Sequence, residues 1–458
     1  MDRNSTSKVS PSRPGGFPTE RLHPYLLISL YLFVSVFALS LLTIVQPHTD
    51  DGLIHQIGKN CALVAFILLA MQALLAARFH WMERPFGMDM LLRYHRAAAV
   101  IALGLLVLHP TLIAWGSRDW SLITGAAAPI RVWLGRTALL LLVVNVAISF
   151  WRRRMKIEFQ RWRRLHNGFA IAILSLAFLH SSLMGGDLSN PWLWAFWVLA
   201  FALFWVLYLY HRAVRPALLN RSRYTVSKVR REAANVWTVE LAPPEGREVP
   251  PYLPGQFQYI TFFRAGGLPV EEHHWTISST PTRSGVSSTI KESGDFTSTI
   301  GLTRPGDTAT VQGPYGRFSY LVEPKASNLL FLCGGIGITP FLGMLRHMHD
   351  TGAQKDVLLL WSNRTEEDIV AREEIERIEA SGVPQLRIVH FLTQPGDGWK
   401  GERGRIGGES LARHLGREDL ATREVFVCCP PLMSKALIRA LRDLRVPPGR
   451  IHYEGFSL

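Results

Sequence analysis

The chain has 458 residues, room for two or three domains, and its long apolar runs nearly all fall before about residue 210. That asymmetry excludes a plain soluble enzyme. It also reads the formal charge of +14 as loop arginines beside membrane spans rather than as a nucleic-acid patch. The four cysteines, Cys61, Cys333, Cys428 and Cys429, form no CxxC pair, no iron–sulfur spacing and no CxxCH, so a haem would be held without a covalent link.

Residues 1–22 are rich in Ser, Pro and Arg and are expected to form a disordered cytoplasmic tail. Six apolar runs follow near 24–46, 54–77, 94–115, 130–150, 167–184 and 192–211, each long enough to cross a bilayer. Residues 23–215 are therefore expected to form a six-helix transmembrane bundle. The loops 78–93 and 151–165 are strongly basic, whereas 47–53, 116–129 and 185–191 are acidic or nearly neutral. The positive-inside rule then places the N-terminus, the basic loops and everything after residue 212 in the cytoplasm. A multi-pass protein of a plasma or bacterial inner membrane is expected.

The third run carries His95 and His109, and the fifth carries His166 and His180, each pair at i, i+14. On a helix that spacing leaves two imidazoles within about 40° of one face and about 21 Å apart along the axis. Two such helices side by side oppose His95 to His166 and His109 to His180. Opposed imidazoles across a bundle are what a hexacoordinate haem iron requires. The bland alternative is a histidine hydrogen-bonded to a neighbouring helix. It accounts for one intramembrane histidine but poorly for a spacing repeated on two helices. Arg93, Arg96, Arg163 and Arg164 are placed to meet haem propionates on the inner side, although positive-inside topology also explains them. Arg118 is the one basic residue in its outer loop.

Residues 216–323 alternate apolar and polar in short runs, as in YTVSKVRREAANVWTVELAP, and predict a small antiparallel β-barrel. Residues 324–458 change pattern. NLLFLCGG, VLLLWSN, LRIVHFL and EVFVCCP read as buried parallel strands between helical segments, a doubly wound α/β nucleotide-binding domain. LCGGIGITPF (332–341) links a strand to a helix. Gly334, Gly335 and Gly337 would let the backbone approach a pyrophosphate at the helix N-terminus.

With these segments the soluble part resembles the ferredoxin–NADP reductase superfamily, and with the membrane half the whole resembles the NADPH oxidase and ferric reductase family. HHWTISST (273–280) is similar to the family's flavin motif HPFTIS, with His274 for Pro and Trp275 for Phe. The resemblance implies FAD bound by His273, Trp275, Thr276, Lys291 and the turn Gly294, Phe296, Thr297. GPYGRFS (313–319) resembles the turn linking the two soluble lobes. The family resemblance implies NADPH bound by Gly334, Gly335, Gly337, Thr339, Pro340, Ser362, Arg364, Cys428 and Pro430. CCPPLM (428–433) is similar to the family's CGPPxM, with Cys429 for Gly and Cys428 near nicotinamide C4. Phe456 resembles the terminal aromatic that covers the flavin. Arg364 suits a 2′-phosphate and no acidic residue ends the strand before it, which favours NADPH while leaving NADH open.

The implied activity is transmembrane electron transfer from cytoplasmic NADPH through FAD and two b haems to dioxygen outside, yielding superoxide. The alternatives are a ferric-chelate acceptor or a periplasmic partner protein. A binding or sensing protein without turnover is disfavoured by the intact flavin and nucleotide motifs. The lipid bilayer is an expected partner; nucleic acid and an obligatory protein partner are not.

Overall fold

The computed structural model describes residues 24–45 and 52–454. The expected tail and Phe456 lie outside these. The chain folds as two compact units, one holding the long apolar helices and the other the chain from Leu209 onward.

Among the described residues six helices are long and apolar enough to cross a membrane. They are α1 (Pro24–Val45), α2 (Leu53–Ala70), α3 (Met88–Ser117), α4 (Ile130–Trp151), α5 (Phe159–Met184) and α6 (Pro191–Leu209). A helix satisfies its own backbone groups and so needs no polar partner in lipid. Leu140, Leu199 and Val206 turn outward and are exposed, as lipid-facing side chains would be. Inward, Leu63, Phe66, Ile67, Leu174 and Trp197 pack together, with Phe66 stacked on Trp197 at 4.0 Å. Two helices outrun their apolar runs. α3 starts at Met88 and α5 at Phe159, because Arg and Met extend a helix about as readily as Leu does where no breaker intervenes. Arg136, near the start of α4, donates to the carbonyls of Leu122 (3.1 Å), Gly125 (2.7 Å) and Ser121 (2.8 Å), capping a short preceding helix.

The second unit has two lobes. In the first, β1 (Tyr224–Ala233), β2 (Val236–Ala242), β3 (Phe257–Phe263), β4 (Glu272–Thr276), β5 (Val286–Lys291) and β6 (Thr308–Tyr315) form an antiparallel sheet in the order β4-β3-β6-β1-β2-β5. The expected barrel is not closed. Among the described residues no ladder joins β4 to β5; β4 ends after five residues, and beyond it Ser278 N–H donates to Ser287 O at 2.8 Å. Alternation tells which face of a strand is buried, not whether the end strands meet. Val226, Val239, Leu241, Ile260, Phe262 and Ile290 fill the buried face.

In the second lobe all strand pairs are parallel. The strands are β7 (Asn328–Gly334), β8 (Asp356–Asn363), β9 (Gln385–Leu392), β10 (Glu402–Arg403), β11 (Glu424–Cys428) and β12 (Ile451–Tyr453), in the order β10-β9-β8-β7-β11-β12. Helices α7 (Thr339–Thr351), α8 (Arg372–Ser381) and α9 (Pro431–Asp443) cover the sheet, with a separate apolar core on each face. The chain runs outward from β7 through β8 and β9, then returns to β11 on the other side of β7. Ligands bind at such a switch point, beyond the carboxyl ends of the strands. Arg346 of α7 staples the lobes: it is buried, grips Glu374 of α8 with two bonds (2.8 and 2.6 Å), and donates to the Ser278 carbonyl at 2.6 Å.

Candidate functional site

In the membrane unit α3 and α5 bring the four histidines together in two pairs. The ring centroids of His95 and His166 are 6.1 Å apart, and those of His109 and His180 are 6.3 Å apart. Two imidazoles on opposite sides of one metal, with metal–nitrogen bonds of about 2.0–2.1 Å and about 1.1 Å from nitrogen to ring centre, have centroids about 6 Å apart. Three of the rings are already engaged at Nδ1. His109 Nδ1 meets the Gly58 carbonyl (2.9 Å), His180 Nδ1 the Arg131 carbonyl (2.7 Å), and His166 Nδ1 the Asn145 Oδ1 (2.9 Å). An acceptor at Nδ1 fixes the proton there and leaves the Nε2 lone pair for a metal, the usual outer-shell arrangement of ligating histidines. The residues present therefore fit haem iron at both levels.

Two glycines make this geometry possible. A Cβ on Gly135 would lie 2.9 Å from Cε1 and Nδ1 of His180, so the bare residue leaves room for the ring. A Cβ on Gly58 would press on Leu112 Cβ at 3.1 Å and His109 O at 3.2 Å, so glycine lets α2 approach α3 closely enough for its carbonyl to reach His109. Arg93, Arg96 and Arg164 are exposed, and Arg163 lies 6.0 Å from the Phe159 ring.

In the first lobe of the second unit His273, Trp275 and Phe296 form one aromatic cluster. His273 and Phe296 have centroids 4.3 Å apart, and Trp275 lies 5.9 Å from Phe296 and 5.8 Å from Phe262. His273 Nε2 is bonded to Glu271 Oε2 at 2.9 Å, and Thr276 is buried. Thr297 Oγ1 accepts from the amides of Ser293 (2.8 Å) and Gly294 (2.9 Å), which shapes that turn. Lys291 Nζ lies 4.0 Å from Asp368 of the second lobe. His274, which takes the motif's proline position, faces Tyr259 and Phe257 instead. Arg264 joins this cluster, although no motif in the sequence marks it. It is buried, lies over the Phe296 ring at 4.8 Å and donates to Thr299 O at 2.8 Å; burial lowers its pKa, with Asp307 opposing.

At the switch point the glycine turn and the CCPPLM segment interlock. A Cβ at Gly337 would drive into the Cys428 carbonyl, and one at Gly334 would meet Pro430 Cδ at 2.9 Å. Gly335 adopts φ +54°, and Trp361 Nε1 donates to its carbonyl at 3.0 Å. Thr339 and Pro340 are buried at the start of α7; Ser362 is buried at the end of β8, and Arg364 just beyond is exposed. Burial, with Glu454 and Cys429 nearby, raises the Cys428 thiol well above its ordinary value, and burial raises Cys429 to about 12. Both stay protonated, so Cys428 offers a neutral, small wall rather than an acid or base.

Residues 331–438 match the oxidoreductase NAD-binding domain family, and residues 61–177 match the family described as ferric reductase like transmembrane component. The chain thus joins a ferric-reductase-like transmembrane domain to an oxidoreductase NAD-binding domain. Among similar proteins is the NADPH nitrate reductase of Emericella nidulans, 34% identical over 35% of this chain and 20% of that protein. Another is the stachydrine N-demethylase reductase subunit Stc4 of Rhizobium meliloti, 31% identical over 49% of this chain and 64% of that protein. The chain therefore spans only part of the relatives it matches. Among solved structures, the flavohem-like FAD/NAD-binding domain of a Vibrio cholerae nitric oxide dioxygenase aligns with 51% of this chain and 97% of that one, at TM-score 0.46 and 20% identity.

Proposed function

We propose that the chain carries electrons from cytoplasmic NADPH, through FAD and two b haems, to dioxygen on the far side of the membrane, with superoxide as product. The carrying observation is the two-level histidine ladder, with centroid separations of 6.1 and 6.3 Å and Nδ1 of three rings already bonded. Bound FAD supplies a two-electron acceptor that releases electrons singly, and the haems supply one-electron stations. The protein's part is placement. His95 with His166, and His109 with His180, would hold the two irons. Trp275 would form one wall of the flavin site, with Thr276 at its centre and the 294–297 turn at the pyrophosphate. Gly334, Gly335 and Gly337 would take the nucleotide pyrophosphate at the start of α7, Arg364 its 2′-phosphate, and Cys428 and Pro430 the nicotinamide. Phe456 would cover the flavin in the resting enzyme. The basic loops favour both soluble lobes on the cytoplasmic side.

A ferric chelate is the second reading, favoured by the ferric-reductase-like match of residues 61–177. Purified protein given NADPH under air, and under nitrogen with ferric citrate, separates the two. Superoxide formed in air at a rate well above anaerobic ferric reduction supports dioxygen; the reverse order favours the chelate. A chain lacking both activities, with haem and FAD present, would point to a partner protein as acceptor.

A further inference from the structure

The four ring N–H groups are not held alike. His109 and His180 are held by main-chain carbonyls, of Gly58 and Arg131. His166 is held by a side chain, Asn145 Oδ1, at 2.9 Å. His95 Nδ1 is buried; the Gln72 main chain lies beside it without closing a hydrogen bond of normal geometry. Asn145 is itself buried, in the apolar middle of α4, where a polar residue is costly. It belongs to a closed ring of contacts. Ser149 Oγ donates to the Asn145 carbonyl at 2.7 Å, Trp162 Nε1 donates to Ser149 Oγ at 3.1 Å, and the Trp162 ring stacks on His166 at 5.2 Å and 28°. The His166 imidazole is thus fixed at its edge by Asn145 and on its face by Trp162.

We infer that Asn145 is the positioning residue that sets the redox pitch of the His95–His166 level and leaves the His109–His180 level untouched. This rests on the reading of the histidine pairs as haem ligands. A partner at Nδ1 controls how basic the ligating nitrogen is, and so how strongly it favours oxidised iron. A carboxylate in place of the amide would draw the ring proton and strengthen the ligand. An apolar isostere would leave the N–H unpaired and weaken it.

The test is a spectroelectrochemical titration of the purified full chain, with haem counted by pyridine haemochrome. In Asn145→Asp one of two one-electron waves should fall by about tenfold in its reduction equilibrium, which is about 59 mV. In Asn145→Leu the same wave should rise, and haem at that level should bind about ten- to 100-fold more weakly. Opposite shifts of one wave would not follow from general loosening of the helices. If Asn145→Asp does not assemble, the rise in Asn145→Leu carries the test. Two haems with both waves unmoved, or both waves moving together, overturns the inference alone. Wild-type protein without haem overturns the underlying reading and the inference with it.

Discussion

Replacing Arg346 by Met should loosen the second unit measurably. Arg346 is buried and holds Glu374 through two bonds while donating to the Ser278 carbonyl in the other lobe. Burial disfavours the Glu374 carboxylate, but the Arg346 bond and charge outweigh it and its pKa is lowered. Removing one partner of a buried ion pair costs about 3–5 kcal/mol because the other charge is stranded. The Glu374 side chain is 23% exposed, so water relieves part of the cost and the lower end, about 3 kcal/mol, applies. For a unit of this size about 1 kcal/mol corresponds to about 2–4 °C, so the expected drop in Tm is about 6–12 °C. Thermal release of flavin fluorescence from the full chain reads this. A double-mutant cycle with Glu374→Gln isolates the pair. A coupling below about 0.5 kcal/mol, the scatter expected for independent sites, would refute the staple.

Gly135→Ala should displace His180 and take haem from two per chain to one; retention of both would show that the ring has room to move. His390, on β9 with its ring 5.5 Å from that of Trp361, has its pKa lowered to about 4, chiefly by burial. The unfolded chain then binds the extra proton first, so stability is full above about pH 6.5 and falls by about 3 kcal/mol as pH drops to about 4. His390→Gln should flatten that limb of a pH–denaturation series; an unchanged slope would remove His390 as its cause. Arg364→Ala should raise the KM for NADPH about ten- to 150-fold and leave NADH nearly unchanged. Equal losses with both nucleotides would move Arg364 from the 2′-phosphate to a shared group.

The histidine pairing was legible because a helix converts an i, i+14 spacing into a shared face, and two chains of apolar residues carried it twice. Asn145 was not singled out, although a lone amide in LLLLVVNVAISF is the kind of signal that marks a buried polar partner. Its meaning depends on which residue of another helix it faces, and periodicity within one helix does not encode that. The carbonyls of Gly58 and Arg131 are harder still, since a main-chain acceptor leaves no trace in residue type. The parallel lobe was readable from its apolar runs, which can be buried only with helices on both faces. The open edge of the antiparallel sheet was not, because closure depends on how far β4 and β5 extend and not on which side chains point inward.

The different acceptors of the two histidine levels bear on how the chain tolerates change. A peptide carbonyl is present whatever residue a codon specifies. No replacement at Arg131 deletes the group that meets His180, and a replacement at Gly58 would fail through crowding rather than loss of the acceptor. At Asn145 almost every single-base change deletes or alters the amide that meets His166. One rung keeps its Nδ1 acceptors whatever the codon and fails only through crowding at Gly58 or Gly135, whereas the other can lose its acceptor outright to a single substitution. Genetic drift and directed evolution therefore act on the drop between the two levels from one end, with the distal end serving as a fixed reference.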